Sequence, residues 1–178
     1  MYILFGYIYN YATKLSFVAR EGINSDRRQI RMIIYKISLG IAGSIFNPKI
    51  IKLFVKDKLY IESLLEIGDF WRLGNGKKII SKTNSIGIQH KDLIAKNNEE
   101  LVIFEKIFVN FLYQNCNEIK KAGADSIEID YNIYTSENIC SLSIFNTSQL
   151  KILTNCDISI NLTYYKMKKK KIKEIWDI

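Results

Sequence analysis

The sequence predicts an α+β fold: a two-layer sandwich in which a mostly antiparallel sheet carries helices packed on one face. Two patterns predict it. Three segments, Ile33 to Ala42, Ser126 to Tyr134 and Asp157 to Tyr165, alternate apolar with polar or small residues at period two, the signature of strands with one buried and one wet face. One long segment between Asn98 and Lys121 repeats its apolar residues every three or four positions, the signature of a helix packed along one stripe. Strands that are wet on one face need their cover on the other, so the helices share a layer.

The elements follow in the order β-α-β-β-α-β-β-α-β. In the first strand Ile33, Tyr35, Ile37, Leu39 and Ile41 face one way and Ile34, Lys36, Ser38, Gly40 and Ala42 the other. Gly43-Ser44 breaks it. Asn47-Pro48 then starts a short helix, with Asn as N-cap and Pro in the first turn. Ile50, Ile51, Phe54 and Val55 carry that helix to about Lys56. Leu59 to Leu65 fits neither period cleanly. Phe70-Trp71 suits an edge strand, and Gly74-Asn75-Gly76 is a turn. Lys77 to Ser81 and Ile86 to His90 read as two short strands joined by Thr83-Asn84-Ser85.

The long helix takes Asn98 as its N-cap. Glu99 and Glu100 suit its positive end, Lys120 and Lys121 its negative end, and Gly123 stops it. In Ser126 to Tyr134, Ile127, Ile129, Tyr131 and Ile133 oppose Ser126, Glu128, Asp130 and Asn132. Ile139 to Phe145 reads as a further strand, Asn146 to Leu153 as a short helix with Leu150 and Leu153 inward, and Asp157 to Tyr165 as the last strand.

A chain of 178 residues, 48% hydrophobic and 25% charged, matches ordinary globular composition and suffices for one domain with a proper core. Its single proline and nine glycines exclude collagen-like and Pro/Gly-rich disordered classes. Cys116, Cys140 and Cys156 are odd in number and widely spaced, which excludes a disulfide framework and suggests reduced, buried thiols in a cytoplasmic protein. No apolar run reaches the ~18 residues of a membrane span. The apolar start, Met1 to Tyr11, lacks the basic flank of a secretory signal.

The net charge of +8 invites a nucleic-acid partner, but the charge is unevenly placed. Residues 1–31 hold five basic and two acidic residues, and residues 166–178 six lysines against Glu174 and Asp177, which leaves residues 32–165 at about +1. Three regions follow: an N-terminal extension (1–31), one α+β domain (32–165) and a lysine-rich tail (166–178). The extension is suspect as native protein. Met32 directly precedes a strand, and Arg27-Arg28-Gln29-Ile30-Arg31 is what a purine-rich ribosome-binding site gives when translated; a native peptide covering Tyr2 to Arg20, found by mass spectrometry, would sink that idea. In the tail, Lys168 to Lys171 repel one another and should be solvated. No aromatic interleaves with them to stack on bases, so any nucleic-acid contact is confined to this tail and its plainer reading is a solubilising end.

Nothing in the chain forms a familiar catalytic or metal motif, so no catalytic residue, cofactor or metal is assigned. The single histidine, His90, cannot build a Cys/His or two-histidine zinc site and reads as a polar residue at a strand end. Gly74-Asn75-Gly76-Lys77-Lys78 lacks the earlier glycine and the following Ser or Thr of a phosphate loop. Glu128 and Asp130 lie on one strand face, since residues two apart project alike. With Asp157 on the last strand they make the wet face mildly acidic. The pair could serve acid/base chemistry or hold magnesium; a solvated face, or a rigid surface for a basic protein, are the alternatives.

Several short motifs together are similar to another protein group. Gly43 followed by Asn47-Pro48 and Ile51, then Gly68-Asp69, a long helix, Lys121-Ala122-Gly123-Ala124-Asp125 leading into a strand, and Leu150 to Tyr165 resemble the bacterial domain-of-unknown-function family 4279 over about residues 33–166. The stretch between the first helix and Gly68-Asp69 is long for that pattern, and both ends lie outside it. The resemblance implies a small cytoplasmic α/β protein like the immunity proteins that neutralise a neighbouring toxin, and it supplies no catalytic residues. The expectation is a non-enzymatic binding protein that meets a cognate toxin through Glu128, Asp130 and Asp157. A nucleic-acid-associated protein working through the tail, or an enzyme with a carboxylate site, are the other readings.

Overall fold

The computed structural model describes residues 32–72, 76–136 and 144–178. Its centre is the first alternating segment, β1 (Ile33–Gly43), whose Tyr35, Ile37, Leu39 and Ile41 are buried as their parity requires. Two further alternating strands flank it, both antiparallel: β5 (Asn84–His90) on one side and β6 (Ser126–Thr135) on the other. The outer positions belong to β2 (Leu59–Leu65), antiparallel to β5, and β7 (Ser159–Lys166), parallel to β6. The five-stranded sheet therefore runs β2-β5-β1-β6-β7, and the α+β class and mostly antiparallel pairing agree with the sequence pattern.

The long stripe forms α2 (Asn98–Lys121). It lays Leu101, Phe104, Phe108, Leu112 and Ile119 over Ile37, Leu39, Ile88 and Ile129 of the sheet, and these residues make up the main core. The N-cap is Asn97, one residue before the position predicted: its Oδ1 accepts from the Glu100 N–H at 2.8 Å. Asn98 has a different task, accepting from the Tyr35 hydroxyl at 2.7 Å. Asn47 caps α1 (Pro48–Lys52) with Pro48 in its first turn. That helix is shorter than predicted, since Phe54 and Val55 lie past its end yet still pack on the core. A capping box of Asn146 and Gln149 starts α3 (Thr147–Asn155), which buries Leu153.

The motifs at the end of β1 and the end of α2 meet in a latch. Gly43 and Gly123 approach so closely that a side chain on Gly43 would collide with the Gly123 carbonyl, and Gly123 sits at φ +91°. The Asn47 N–H donates to the Ala122 carbonyl at 2.8 Å. Asp125 accepts from the Ser44 N–H at 2.9 Å and from its hydroxyl at 3.2 Å. Gly43, Asn47, Gly123 and Asp125 are thus needed to close the fold, which is sufficient reason for their spacing.

Among the described residues the element order differs from the expected one and is β-α-β-β-β-β-α-β-α-β-α. Leu59 to Leu65 is a strand, with a register shift between Ile61 and Ser63 that disguises its alternation. Lys77 to Ser81 does not pair with Ile86 to His90: β4 (Lys78–Ile80) pairs instead with β3 (Phe70–Arg72) in a separate two-stranded ribbon. The predicted strand Ile139 to Phe145 lies mostly outside the described residues, and Ile144 and Phe145, which are described, are not in a strand.

The helices also do not all share one face. The lysine tail forms α4 (Lys169–Trp176), and its Ile172 is fully buried against Ile34 and Ile94. Ile34 has the opposite parity to Tyr35 and Ile37, so α4 lies on the other side of the sheet. The lysines are solvated as expected, but they ride on a docked helix. No helix among the described residues is long and apolar enough to cross a membrane.

Candidate functional site

The face of the sheet opposite the main core carries the two predicted carboxylates. Register fixes their neighbours: Glu128 lies between Gly40 of β1 and Ser159 of β7, and Asp130 between Ser38 and Asn161. Gly40 in turn pairs with Gly87 of β5. A side chain built on Gly40 would meet nothing within 4 Å, so Glu128 stands beside a step in the sheet that has no side chains.

The Asn161 amide ties the two acids together. Its Nδ2 donates to Glu128 Oε2 at 3.2 Å and to Asp130 Oδ1 at 3.0 Å. Ser126 Oγ donates to Glu128 Oε1 at 3.0 Å. Both acids are half-buried. Burial pushes the Asp130 carboxyl above the usual carboxylate range, the Asn161 hydrogen bond pulls it back, and the Glu128 charge raises it further. Among the described residues no lysine or arginine pairs with either acid; the lysine one row along, Lys36, is taken up by Glu62 at 3.4 Å. Two carboxylates on one rigid strand, tied by an asparagine of the neighbouring strand and without a cation among the described residues, can receive a cationic group.

Asp157, the third predicted contact, does not join them. It lies outside β7, just past the C-cap of α3, at φ +56°. Aspartate tolerates this left-handed geometry better than most residues, which accounts for its place in the turn. Its side chain makes no hydrogen bond or ion pair among the described residues. Nor do the described residues hold a group of three or more His, Cys, Asp or Glu placed to bind a metal ion.

Two buried titratable groups escaped the sequence reading. Glu105 is only 2% exposed on the core side of α2, where it accepts from the Tyr131 hydroxyl at 3.0 Å and from the Phe145 N–H at 3.4 Å. Burial pushes its carboxyl up to about 7, against the pull of those two hydrogen bonds. It clamps the chain entering α3 onto the sheet. His90 is likewise 2% exposed and stacks on Phe104 with ring centroids 3.7 Å apart. The signal for both was present: Glu105 falls inside the apolar stripe of α2, and His90 shares parity with Ile86 and Ile88.

No family model, curated protein or solved structure matches the chain. Gly43, Asn47, Gly123 and Asp125, short motifs from which family 4279 was expected, belong to the latch described above.

Proposed function

We propose that the chain is a non-enzymatic binding protein that presents Glu128 and Asp130 to a basic protein, as an immunity protein presents an acidic face to a cognate toxin. The supporting observation is the acid pair itself: two carboxylates fixed by one asparagine, with no cation of the chain's own among the described residues. A lysine or arginine from a partner would relieve their mutual repulsion and satisfy oxygens that are already half withdrawn from water. Asp157 is at most a peripheral contact in this reading.

The test is capture from the native host with the full chain, beside a Glu128→Lys/Asp130→Lys variant. A basic protein taken up stoichiometrically by the wild type and lost with the variant supports the proposal. The toxin reading adds a requirement: expressing that protein alone arrests growth, and co-expressing the chain restores it. Equal capture by both forms removes the acid pair from the account.

A second reading draws on α4, whose lysines 168–171 and 173 are all exposed on a helix anchored by Ile172. A polyanion bound there would dissociate steeply as salt rises, and binding would vanish on deleting residues 166–178. Salt-independent capture excludes it.

A further inference from the structure

The two-stranded ribbon stands apart from the five-stranded sheet: among the described residues β3 and β4 pair with each other and with no other strand. Its base is held by hydrogen bonds on either side of the strands. The Gly68 N–H donates to the Ser81 carbonyl at 3.0 Å, the Ser81 N–H to the Asp69 carbonyl at 2.7 Å, and the Ile67 N–H to Asn84 Oδ1 at 2.8 Å.

Above that base the apolar side chains face water. Phe70 and Ile80 are cross-strand partners, so they share a face of the ribbon, and they are 60% and 65% exposed. Ile67, just before β3, is 55% exposed. None of the three joins either core cluster. A lone pair of strands is marginally stable in water, and these side chains add no burial that would support it. Exposed apolar groups gathered on one element mark a contact surface.

The same segment is basic. Residues 66–82 hold Arg72, Lys77, Lys78 and Lys82 against Glu66 and Asp69. Both acids are engaged within the fold: Glu66 pairs with Lys49 of α1 at 2.7 Å, and Asp69 Oδ2 accepts from the Glu66 N–H at 2.8 Å. Lys82 is exposed and makes no ion pair among the described residues. The Lys78 ammonium lies 4.6 Å from the Phe70 ring centroid, so a cation and the apolar pair share one side of the ribbon.

These side chains choose among the acidic surfaces that a basic, apolar projection could meet. Nucleic-acid bases stack on aromatic faces, but Lys78 covers one face of Phe70, and Ile67 and Ile80 offer no ring. An acidic protein would need a groove shaped to the projection. An anionic lipid surface needs no matching shape: apolar side chains enter the acyl boundary while lysines stay among the headgroup phosphates.

We infer that the β3–β4 ribbon docks the chain on an anionic lipid bilayer, with Ile67, Phe70 and Ile80 entering the interface and Lys78 and Lys82 meeting phospholipid phosphates. The contact is peripheral and does not depend on the reading of Glu128 and Asp130.

The full chain is sedimented with vesicles of phosphatidylcholine alone and with vesicles containing about one third phosphatidylglycerol. Binding to the anionic vesicles only is expected. Phe70→Ser/Ile80→Ser keeps every charge, the α4 lysines included, and should weaken that binding about tenfold or more. Lys78→Gln/Lys82→Gln keeps the apolar pair and should weaken it several-fold. Phe70→Leu/Ile80→Leu keeps an apolar surface of another shape and should bind as the wild type does. All six substitutions lie outside the core, and thermal melts check that each variant is folded. No binding to anionic vesicles overturns the proposal, whether or not single-stranded RNA binds in their place. Undiminished binding by the serine or the glutamine variant overturns the ribbon as the docking element, and a leucine variant as weak as the serine one overturns the lipid, because it shows a partner that reads shape.

Discussion

Tyr134 and Asp130 project from the same face of the same strand, four residues apart, yet their surroundings differ. At Tyr134 the sheet is covered: the ring stacks on Tyr165 at 4.8 Å, Trp176 meets it edge-on at 5.3 Å, and Ile34 packs under Ile172. At Asp130 and Glu128 the sheet carries a polar cluster beside the bare Gly40 step. The difference lies in side-chain chemistry, because the backbone ladder is continuous from one to the other. An apolar end recruits α4 at about 25 cal/mol for each Å² removed from water. A carboxylate pair would resist the same cover unless it brought a cation. The lysines of α4 are exposed and, among the described residues, none pairs with Glu128 or Asp130, so the acidic end is suited to a basic partner seated there.

The main core sets the scale for any change on this face. Phe108→Ala, which removes a fully buried ring between α2 and the sheet, should cost about 3–5 kcal/mol in chemical denaturation. Ile172→Ala should cost less, about 2 kcal/mol, because its cluster is small. The loss should also be local: hydrogen exchange in α4 accelerates while β1 stays protected. Uniform acceleration throughout the sheet would show that α4 is integral to the fold instead of a cover on one end.

Glu105 gives a pH-dependent contrast between the two faces. Its carboxyl rises from an ordinary 4.5 to about 7 on folding. The folded state thus holds the extra proton between those values, so stability is greatest below about 4.5 and falls as pH rises through 7. The loss is at most about 3 kcal/mol and is reduced by whatever water reaches the site. Glu105→Gln keeps an acceptor for Tyr131 and Phe145 and should flatten that profile; an unchanged slope would assign the pH dependence elsewhere, Asp130 being the next group, with the same sign. Asp157→Asn should have the smallest effect, within about 0.5 kcal/mol on stability, since asparagine also tolerates the left-handed geometry. Its effect on partner affinity should also be small, because Asp157 is outside β7 and apart from the acid pair.

Parity and helical spacing made the sheet's inner strands, α2 and the Glu128–Asp130 pair legible in the sequence. They fail where long-range pairing decides. Lys78 to Ile80 has strand character, but the alternation of a three-residue strand does not say whether β3 or β5 is its partner. The bulge in β2 erases its period. Lys168 to Lys171 hides Ile172, a single apolar residue whose burial depends on the distant Ile34 and Ile94. Asp157 continues the alternation of β7 in sequence, but its positive φ takes it out of the strand. His90 reads as a polar residue at a strand end, and Glu105 is not singled out, although both positions are those of core residues.

The central claim is tested most directly by calorimetric titration of the captured basic partner into the full chain and into Glu128→Lys/Asp130→Lys, with thermal melts confirming that both are folded. The account predicts affinity weakened on the order of a hundredfold or more, as when buried charge pairs across an interface are broken. Equal affinity for the two forms would contradict it.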